Sequence, residues 1–419
     1  MKSMRQRSRK EKSADKSVDS KHPQHVQQPV GRSCCHFMIL VVLIMMGVSG
    51  VVVYFLPSLI GPVGHGPDDG PQFTGVYAVN NELQNAKRIF EGELYGPESF
   101  ALDKDGYLYT GLMDGRVVKI NLHKETYTLV TRMNDPPYDK CGSIDMLPVC
   151  GRPLGMKWDI NGKLIIVDAY KGLVSINTTT GEQEQLSNPE DISCTFYNNP
   201  VVLSNGSIFF SCFSVKFGLH DLFAEHFPLD NYQWDHSQEF DYGMLLHYNP
   251  TTGKTVAVGE KRLFVPNGVA KSSDEQFLIV AELARNRIAR YYLKGPKEGQ
   301  WDMFISSLPG VIDNITPSKK HGGFWVTIPM VNPSALLDFS QQWSWLQLIL
   351  AKLQLVNELD HPGPLHNMIL LVDEEGRVVK SLHDMTGKVV VKVSEVFEMD
   401  DEVIIGSFFT PFLVRMKEY

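Results

Sequence analysis

The sequence predicts an all-β fold, a six-bladed β-propeller preceded by an N-terminal transmembrane helix. From residue 75 to the end of the 419-residue chain, short runs of Val, Ile, Leu, Phe and Tyr alternate with Gly, Asp and Asn turns. Long helical periodicity is nearly absent from the same region. A unit made of a turn, a strand, a polar turn and further strands recurs through it. Repeats of about 40–50 residues with three or four strands each are typical of propeller blades.

Six copies of this unit can be recognised, and together they fill residues 75–419. Residues 99–111 (SFALDKDGYLYTG) and residues 154–168 (LGMKWDINGKLIIVD) share the same order of turn and strand. The remaining four copies are centred on the polar turns at Asn205, Asp274, Gly322 and Asp400.

The N-terminal part differs in composition from the rest. Residues 1–36 have the composition of a disordered basic tail, with nine Lys or Arg against three Asp or Glu up to residue 33. The whole chain nevertheless has a formal net charge of −8, so the part after the tail is acidic. We therefore expect no nucleic-acid partner.

Residues 37–56 contain no charged residue and match the roughly 20 residues that an α-helix needs to cross a bilayer. This run predicts a retained signal-anchor. The alternative, a cleaved signal peptide, usually has an apolar region of only about 7–15 residues. Because the basic flank precedes the run, the positive-inside rule predicts a type II membrane protein. Residues 57–74 would be a linker, and the propeller would lie outside the cell or in the lumen, at the plasma membrane or the endoplasmic reticulum.

In such a compartment the cysteines after the anchor are expected to form disulfides. Cys141 and Cys150 would close a short loop, and this is the pair that we expect. Cys194 and Cys212 would span a hairpin. Four cysteines allow three pairings, and the sequence alone leaves them open.

Three Asn-X-Ser/Thr sequons are present. Asn177 and Asn205 lie beside glycine in surface-turn sequences, and we expect both to carry glycans. We expect Asn314 to be bare, because it belongs to the metal site described below and Pro317 follows it.

One segment departs from the strand pattern. Residues 336–356 carry apolar residues at helical spacing behind two tryptophans, which predicts an amphipathic helix inserted into a blade. Such a helix would pack on the propeller as a lid or lie on the membrane surface.

Oxygen-bearing side chains recur where predicted inner strands begin. The four positions are Glu98, Asn198, Asn267 and Asp313. In a propeller the innermost strand of each blade lines a central channel, so these residues are expected to converge on the axis. Two carboxylates and two amides suit a hard cation such as Ca2+, and Asn314 would lie close by as a further ligand. The alternative is that these residue types are simply those that turns require.

The chain resembles the strictosidine synthase-like family of six-bladed propellers, which is related to paraoxonases and gluconolactonases. The resemblance rests on residues 96–99 (GPES), 150–155 (CGRPLG), 167–173 (VDAYKGL), 264–269 (FVPNGV), 309–314 (PGVIDN) and 406–408 (GSF). It implies a type II glycoprotein with arylesterase activity and a calcium ion. The implied calcium ligands match Glu98, Asn198, Asn267, Asp313 and Asn314.

Two positions depart from the relatives. The catalytic histidine of paraoxonases falls within residues 151–155, which contain no histidine. The glutamate that strictosidine synthase uses falls at Ser394, one residue before Glu395, and a one-residue slip in a strand turns a side chain to the other face.

Three functions follow from these observations. The first is a membrane-anchored, calcium-dependent hydrolase of aryl esters or lactones, with Asp313 as general base and the ion as Lewis acid. The second is a membrane-tethered binding or scaffold protein with a structural metal, because a fold does not fix a function. A condensing enzyme of the strictosidine synthase type is the third and is disfavoured by Ser394.

Overall fold

The computed structural model describes residues 71–135, 139–187, 192–223, 242–331 and 366–417, together with His36, Gly47 and Gly50. The chain divides into two compact units, Met1–Val52 and Val53–Tyr419, and all sheets belong to the second. The predicted helix at 336–356 lies outside the described residues, as does the predicted span at 37–56 apart from the two glycines. No helix within the described ranges is long and apolar enough to cross a membrane.

Six four-stranded antiparallel sheets form the second unit, and the prediction of a six-bladed propeller is confirmed. We number the blades by the order of their innermost strands. Blade 1 contains β2 (Phe100–Leu102), β3 (Leu108–Gly111), β4 (Arg116–Asn121) and β5 (Thr126–Arg132). Blade 2 contains β6 (Pro153–Trp158), β7 (Leu164–Asp168), β8 (Gly172–Ile176) and β9 (Gln183–Gln185). Blade 3 contains β10 (Phe196–Val202), β11 (Ile208–Ser214), β12 (Met244–Asn249) and β13 (Lys254–Ala257).

The second half repeats this order. Blade 4 contains β14 (Pro266–Lys271), β15 (Phe277–Glu282), β16 (Arg287–Tyr292) and β17 (Trp301–Ile305). A small separate pair is formed by β18 (Gly310–Val311) and β21 (Met330–Val331). Blade 5 contains β19 (Ile315–Pro317), β20 (Phe324–Ile328), β22 (Asn367–Val372) and β23 (Val378–Asp384). Blade 6 contains β24 (Val393–Glu398), β25 (Val403–Ser407), β26 (Leu413–Met416) and, from the N-terminal side, β1 (Lys87–Ile89).

The ring is closed by this N-terminal strand. β1 pairs antiparallel with β26 and so supplies the outermost strand of the last blade. The described helices are short: α1 (Leu147–Cys150), α2 (Leu219–Phe223) and 3-10 turns at Gly75–Tyr77, Glu82–Asn85, Ile144–Met146 and Leu283–Arg285. Closure of this kind joins residues from both ends of the chain, so the first and last blades hold each other in place.

The hydrophobic core is divided among the blade interfaces. Six buried clusters each combine side chains from two neighbouring sheets, such as Phe100 of blade 1 with Ile404 of blade 6. A seventh cluster is different, because its members come from loops and strand ends at one end of the channel. Burial of apolar surface between every pair of neighbouring blades is therefore what stabilises the ring.

Strand direction defines two faces of the ring. We call the end at which the innermost strands begin the mouth face. In an antiparallel blade, the second strand ends and the third begins at that same end, while the turns after the first and third strands lie at the other end. The seventh cluster and the loop between β11 and β12 therefore lie at the mouth face, and we call the other end the opposite face.

A chain of hydrogen bonds fixes the segment before β1 to blade 5. Ser381 Oγ donates to Val76 O at 2.6 Å and lies 3.0 Å from His383 Nε2. Because its single hydroxyl proton is used on Val76, Ser381 must accept the Nε2 proton of His383. His383 Nδ1 is then the acceptor for His366 Nε2, 2.9 Å away. The ring of Phe73 packs on both imidazoles.

His383 must be neutral for this chain to exist, because its Nδ1 accepts a hydrogen bond while its Nε2 donates one. Burial and, to a smaller extent, the charge of the neighbouring His366 together lower the pKa of His383 to about 4. Burial likewise lowers the pKa of His366, which Asp384 partly opposes. Since the folded-state pKa lies below the unfolded value, the contribution to stability is present above about pH 6.5 and is lost as the pH falls towards 4.

We predict that the free energy of unfolding of the full chain falls by about 3 kcal/mol between pH 7 and pH 4 through this pair. Replacement of His383 by Phe should remove that part of the pH dependence, measured by urea unfolding across this range. His123→Phe, on an exposed turn, is the matched control. An identical pH profile in His383→Phe and wild type would show that the pair does not titrate on unfolding.

Candidate metal centre

β-bulges open the innermost strands where the predicted ligands lie. The pairing of β10 with β11 shifts between Tyr197 and Pro200, and that of β14 with β15 shifts between Pro266 and Val269. The bulged residues include Asn198 and Asn267. A bulge leaves residues outside the regular ladder and re-aims their side chains, which a regular strand could not do.

Glycines allow neighbouring inner strands to approach at these bulges. A Cβ atom on Gly268 would lie 2.4 Å from Ile315 N, and one on Gly155 would lie 2.4 Å from Pro200 Cδ. No side chain fits at either place without movement of backbone. Gly155 is the last residue of the stretch in which the catalytic histidine of paraoxonases falls. Residue 155 itself has no room for an imidazole.

Four of the five predicted ligands are buried. Glu98 is 1% exposed, Asn198 and Asn267 are each 4% exposed, and Asn314 is fully buried. Asp313 retains partial exposure. Asn314 Nδ2 donates to Glu98 Oε1 at 3.0 Å. Ser394 and Asn267 donate side-chain hydrogen bonds to Asp313, so residues from blades 1, 4 and 6 and the segment leading into blade 5 meet here.

Three oxygen atoms of this group have no hydrogen-bond partner among the described residues. They are Glu98 Oε2, Asn198 Oδ1 and Asn267 Oδ1, all of them buried. A buried acceptor without a partner costs about 1–3 kcal/mol, and a charged one costs more. Carboxylate and amide oxygens are the atoms that a hard cation binds, so the residue types present fit an oxygen-binding metal ion. That these residues bind such an ion remains a prediction.

Asn314, which was predicted as a further ligand, makes hydrogen bonds through both ends of its carboxamide. Its Oδ1 accepts a hydrogen bond from Asn199 Nδ2 at 2.8 Å, while its own Nδ2 faces Glu98. Its carboxamide therefore bridges blade 3 and blade 1. Asn199 belongs to the same bulge as Asn198, and the Asn-Asn doublet was the sequence signal for its participation.

Glu98 and Asp313 both have raised pKa values. Burial is the largest cause that raises the pKa of Glu98 to about 7; the charge of Glu395 also raises it, while Arg152 is the strongest opposing influence. Burial raises the pKa of Asp313 well above its ordinary value, and the charge of Glu98 raises it further. Each carboxylate therefore resists ionisation unless a positive charge lies nearby.

Arg152 is the fully buried cation beside this pair, and it was not among the predicted site residues. Its guanidinium donates to Gly96 O at 2.8 Å and to Pro153 O at 3.1 Å, and it lies 4.3 Å from the ring centre of Phe408. Burial lowers its pKa to about 10, which still leaves it charged at neutral pH. Asp168 Oδ2 accepts the backbone N–H of Arg152 at 2.7 Å and fixes the start of β6.

The disulfide Cys141–Cys150 ends two residues before Arg152, with an S–S distance of 1.95 Å. Cys194–Cys212 is the second bond, and it joins the loop before β10 to β11. The expectation of disulfides is confirmed. Of the sequons, Asn177 and Asn205 are exposed and Asn314 is buried, as glycosylation of the first two alone requires.

The position expected for a condensing glutamate has another arrangement. The pairing of β24 with β25 shifts between Val393 and Glu395, so Ser394 lies in a bulge. Its Oγ accepts the N–H of Phe408 and its side chain donates to Asp313. Glu395 accepts hydrogen bonds from Ser99 Oγ at 2.7 Å and from the N–H of Phe100. Glu395 therefore holds blade 1 against blade 6.

Above the predicted ligands, the mouth of the channel is apolar. Buried residues such as Leu154, Phe196 and Val265 form its floor. Partly buried side chains from several blades pack against them: Met113, Tyr170, Phe217, Phe264, Leu283 and Phe408. The site therefore combines a polar centre with a surrounding surface that favours apolar groups.

Comparison with known proteins agrees with this architecture. A model of the N-terminal part of strictosidine synthase-like proteins matches residues 75–120, and a strictosidine synthase model matches residues 199–296. Adipocyte plasma membrane-associated protein of Gallus gallus is 36% identical over 356 residues, 83% of this chain and 81% of the relative. The protein of that name from Homo sapiens is 35% identical over 390 residues, 91% of this chain and 89% of the relative.

Solved structures share the fold at low sequence identity. A gluconolactonase from Xanthomonas campestris superposes with a TM-score of 0.52 at 14% identity, covering 86% of this chain and 99% of the other. A calcium-binding protein, regucalcin, from Agrobacterium tumefaciens gives 0.50 at 13% identity, covering 80% and 95%.

We predict that Arg152→Met lowers the free energy of unfolding by about 3–5 kcal/mol, because it leaves the buried acids without their nearest cation. Arg152→Lys should not restore it, since an ammonium cannot reproduce the planar contacts of the guanidinium. Arg377→Met, whose side chain is 73% exposed, should change stability by no more than about 0.5 kcal/mol. Urea unfolding measures all three, and equal stabilities for Arg152→Met and Arg377→Met would contradict this role.

Proposed function

The chain belongs to the adipocyte plasma membrane-associated protein family of strictosidine synthase-like propellers, and we propose that it is a calcium-dependent hydrolase of lipophilic esters or lactones. The observation that carries the proposal is the set of three buried oxygens without partners beside two carboxylates of raised pKa. Such a set suits Ca2+, which accepts carboxylate and amide oxygens together. Two proteins of similar fold are known as a gluconolactonase and a calcium-binding protein, and both names agree with this choice.

Glu98, Asn198, Asn267 and Asp313 would hold the ion. When bound, Ca2+ supplies a Lewis acid that polarises a substrate carbonyl and stabilises the charge that develops on its oxygen. Glu98 would contribute charge, and its second oxygen is already fixed by Asn314 at 3.0 Å. Asn267 would contribute its amide oxygen while its amide nitrogen orients Asp313.

Asp313 is the residue that would act on water. It is the only one of the predicted ligands with partial exposure, so a water molecule has access to it. A raised pKa makes the ionised carboxylate a stronger base, and a base is most effective when its pKa lies near the working pH. The side chains of Ser394 and Asn267 lie beside its carboxylate and partly oppose the rise of its pKa.

The apolar mouth favours an aryl or alkyl ester over a sugar-like lactone. Phe217, Phe264 and Phe408 offer aromatic surface from three blades. Burial of an aromatic or alkyl group against such surface contributes about 25 cal/mol per Å2. We infer that the substrate is an aryl or alkyl ester rather than a sugar-like lactone.

Membrane attachment is part of the proposal. The apolar run at 37–56 would anchor the chain as a type II protein of the plasma membrane or endoplasmic reticulum, with the propeller and its glycans outside or in the lumen. The name of the relatives agrees with a membrane location.

A second candidate, a membrane-tethered scaffold with a structural metal, is favoured by the deep burial of Glu98, Asn198 and Asn267. A structural ion is normally shielded in this way. The hydrolase and the scaffold differ in the role of Asp313. Only the hydrolase requires that Asp313 be partly exposed.

We predict that Ca2+ raises the melting temperature of the metal-stripped full chain. An ion bound only to the folded state stabilises it by about 2.7 kcal/mol at a concentration one hundred times its Kd. Asn198→Ala and Asn267→Ala should lose most of this effect, whereas Asn161→Ala, on an exposed turn of the opposite face, should retain it. Differential scanning fluorimetry measures the shift. A melting temperature that is insensitive to Ca2+ and to chelator would mean that these side chains only form turns.

We also predict that Asp313→Asn lowers kcat for phenyl acetate hydrolysis by about 10^2 to 10^4 fold, the usual contribution of a general base. Asp105→Asn, an exposed turn carboxylate, is the control with the same chemical change. Wild-type protein that binds Ca2+ but hydrolyses no ester would support the scaffold instead. Unaltered hydrolysis by Asp313→Asn would exclude this residue as the base.

A further inference from the structure

The exposed apolar side chains of the blade turns are distributed unevenly between the two faces. Within the described ranges, the large ones on turns of the mouth face are Tyr95 at 52% exposure, Val149 at 46%, Phe409 at 40% and Ile144 at 38%. The turns of the opposite face contain one, Ile160 at 60%. The mouth face is therefore the more apolar one.

The loops that carry these residues adjoin one another around the mouth. Met113 N donates to Tyr95 O at 2.9 Å, and Gly96 N donates to Thr410 O at 2.8 Å, next to Phe409. The helix α2 contacts the disulfide loop, where His220 Nε2 lies 3.6 Å from Asp145 Oδ1. The exposed apolar residues therefore lie on neighbouring loops of blades 6, 1 and 2, along one side of the apolar mouth.

Cationic side chains accompany the aromatic residues of this face. Lys392 Nζ lies 4.6 Å from the ring centre of Phe409, and Arg285 Cζ lies 4.4 Å from that of Phe264. Lys216 Nζ lies 4.7 Å from the ring centre of Tyr242. Aromatic rings next to Lys and Arg are the composition found where proteins meet lipid headgroups.

The opposite face has the properties of a surface that stays in water. Clusters of acidic residues lie on its turns: Asp274, Glu275, Asp373, Glu374, Glu375, Asp400, Asp401 and Glu402. Two sequon asparagines, Asn177 and Asn205, are also exposed there. Negative charge and glycans both oppose contact with a membrane whose surface is itself negative.

The place where the described chain begins also favours a lipid bilayer as the partner of the mouth face. Phe73 packs on His366 and His383, which lie at the mouth-face end of blade 5. Residues 57–70 join the predicted membrane span to this place, and such a segment reaches at most about 50 Å. A tether of this length favours a lipid surface over a soluble protein as the neighbour of this face.

We propose that the mouth face docks on the lipid bilayer, with Tyr95, Ile144, Val149 and Phe409 in the interfacial layer and the channel opening towards the membrane. The apolar mouth is then continuous with the headgroup region. Lipophilic compounds dissolved in the bilayer would enter the channel without crossing water. The docking rests on the surface of the mouth face and on the membrane anchor proposed above, and it does not depend on the proposed hydrolysis.

Site-directed spin labelling of the full chain in vesicles of phosphatidylcholine, with and without phosphatidylserine, tests the proposal. Cys34 and Cys35 are replaced by Ser, and nitroxide labels are placed singly by Tyr95→Cys, Phe409→Cys and Ile160→Cys. Oxygen concentrates in lipid and a nickel chelate stays in water, so the ratio of the two collision rates reports the surroundings of each label. Ile160 is the matched control, an equally exposed apolar residue on the opposite face.

We expect the oxygen-to-nickel ratio at positions 95 and 409 to exceed that at position 160 several-fold in vesicles. Melting temperatures equal to wild type establish that each labelled protein is folded. Three equal, water-like ratios in vesicles would overturn the proposal. Shielding of positions 95 and 409 from both reagents would also overturn it, because a protein partner or a second copy would then cover this face.

Discussion

The poor solvation of two carboxyl groups, those of Glu98 and Asp313, is the constraint on which the centre of this propeller depends. Glu98 and Asp313 come from distant parts of the chain, and closure of the ring brings them together. Desolvation is the largest cause that raises both pKa values; the charge of Glu395 adds to the rise at Glu98, and the charge of Glu98 adds to the rise at Asp313. Arg152 compensates part of this charge from one side, and Asn314, Asn267 and Ser394 supply hydrogen bonds. The three oxygens that still lack partners among the described residues define the place where further positive charge would be most stabilising.

Much of this centre could be predicted from the sequence, because a repeated unit shows which residues occupy the same position in each blade. Once six units are recognised, Glu98, Asn267 and Asp313 must all begin innermost strands and approach the axis, whatever their separation along the chain. The β-bulges could not be predicted from the repeat. An extra residue in a strand leaves no periodic signal, so the amide bridge from Asn199 to Asn314 emerges only from the pairing registers. Arg152 was missed for a related reason, since a buried arginine in a turn has the sequence signature of a surface residue.

The residues that fix the inner strands are different from those that form the loops of the mouth face. Six apolar clusters between neighbouring blades fix the inner strands, and glycines such as Gly155 and Gly268 let those strands approach closely. The loops of the mouth face carry the aromatic and cationic side chains, and their anchoring differs from blade to blade. A disulfide fixes the loop before Arg152, while hydrogen bonds to Thr410 fix the loop around Tyr95. The polar centre and the mouth around it are therefore held by separate sets of interactions.

Calcium binding followed by isothermal titration calorimetry tests the central claim most directly. The metal-stripped full chain is titrated at pH 6 in two buffers with different ionisation enthalpies, so that the heat reports protons released as well as ions bound. Because Glu98 has a pKa of about 7 in the absence of an ion, it is largely protonated there, and the pKa of Asp313 is also raised. The account predicts one bound Ca2+ and the release of at least about one proton per ion. Binding that releases no proton at pH 6, or no binding at all, would contradict it.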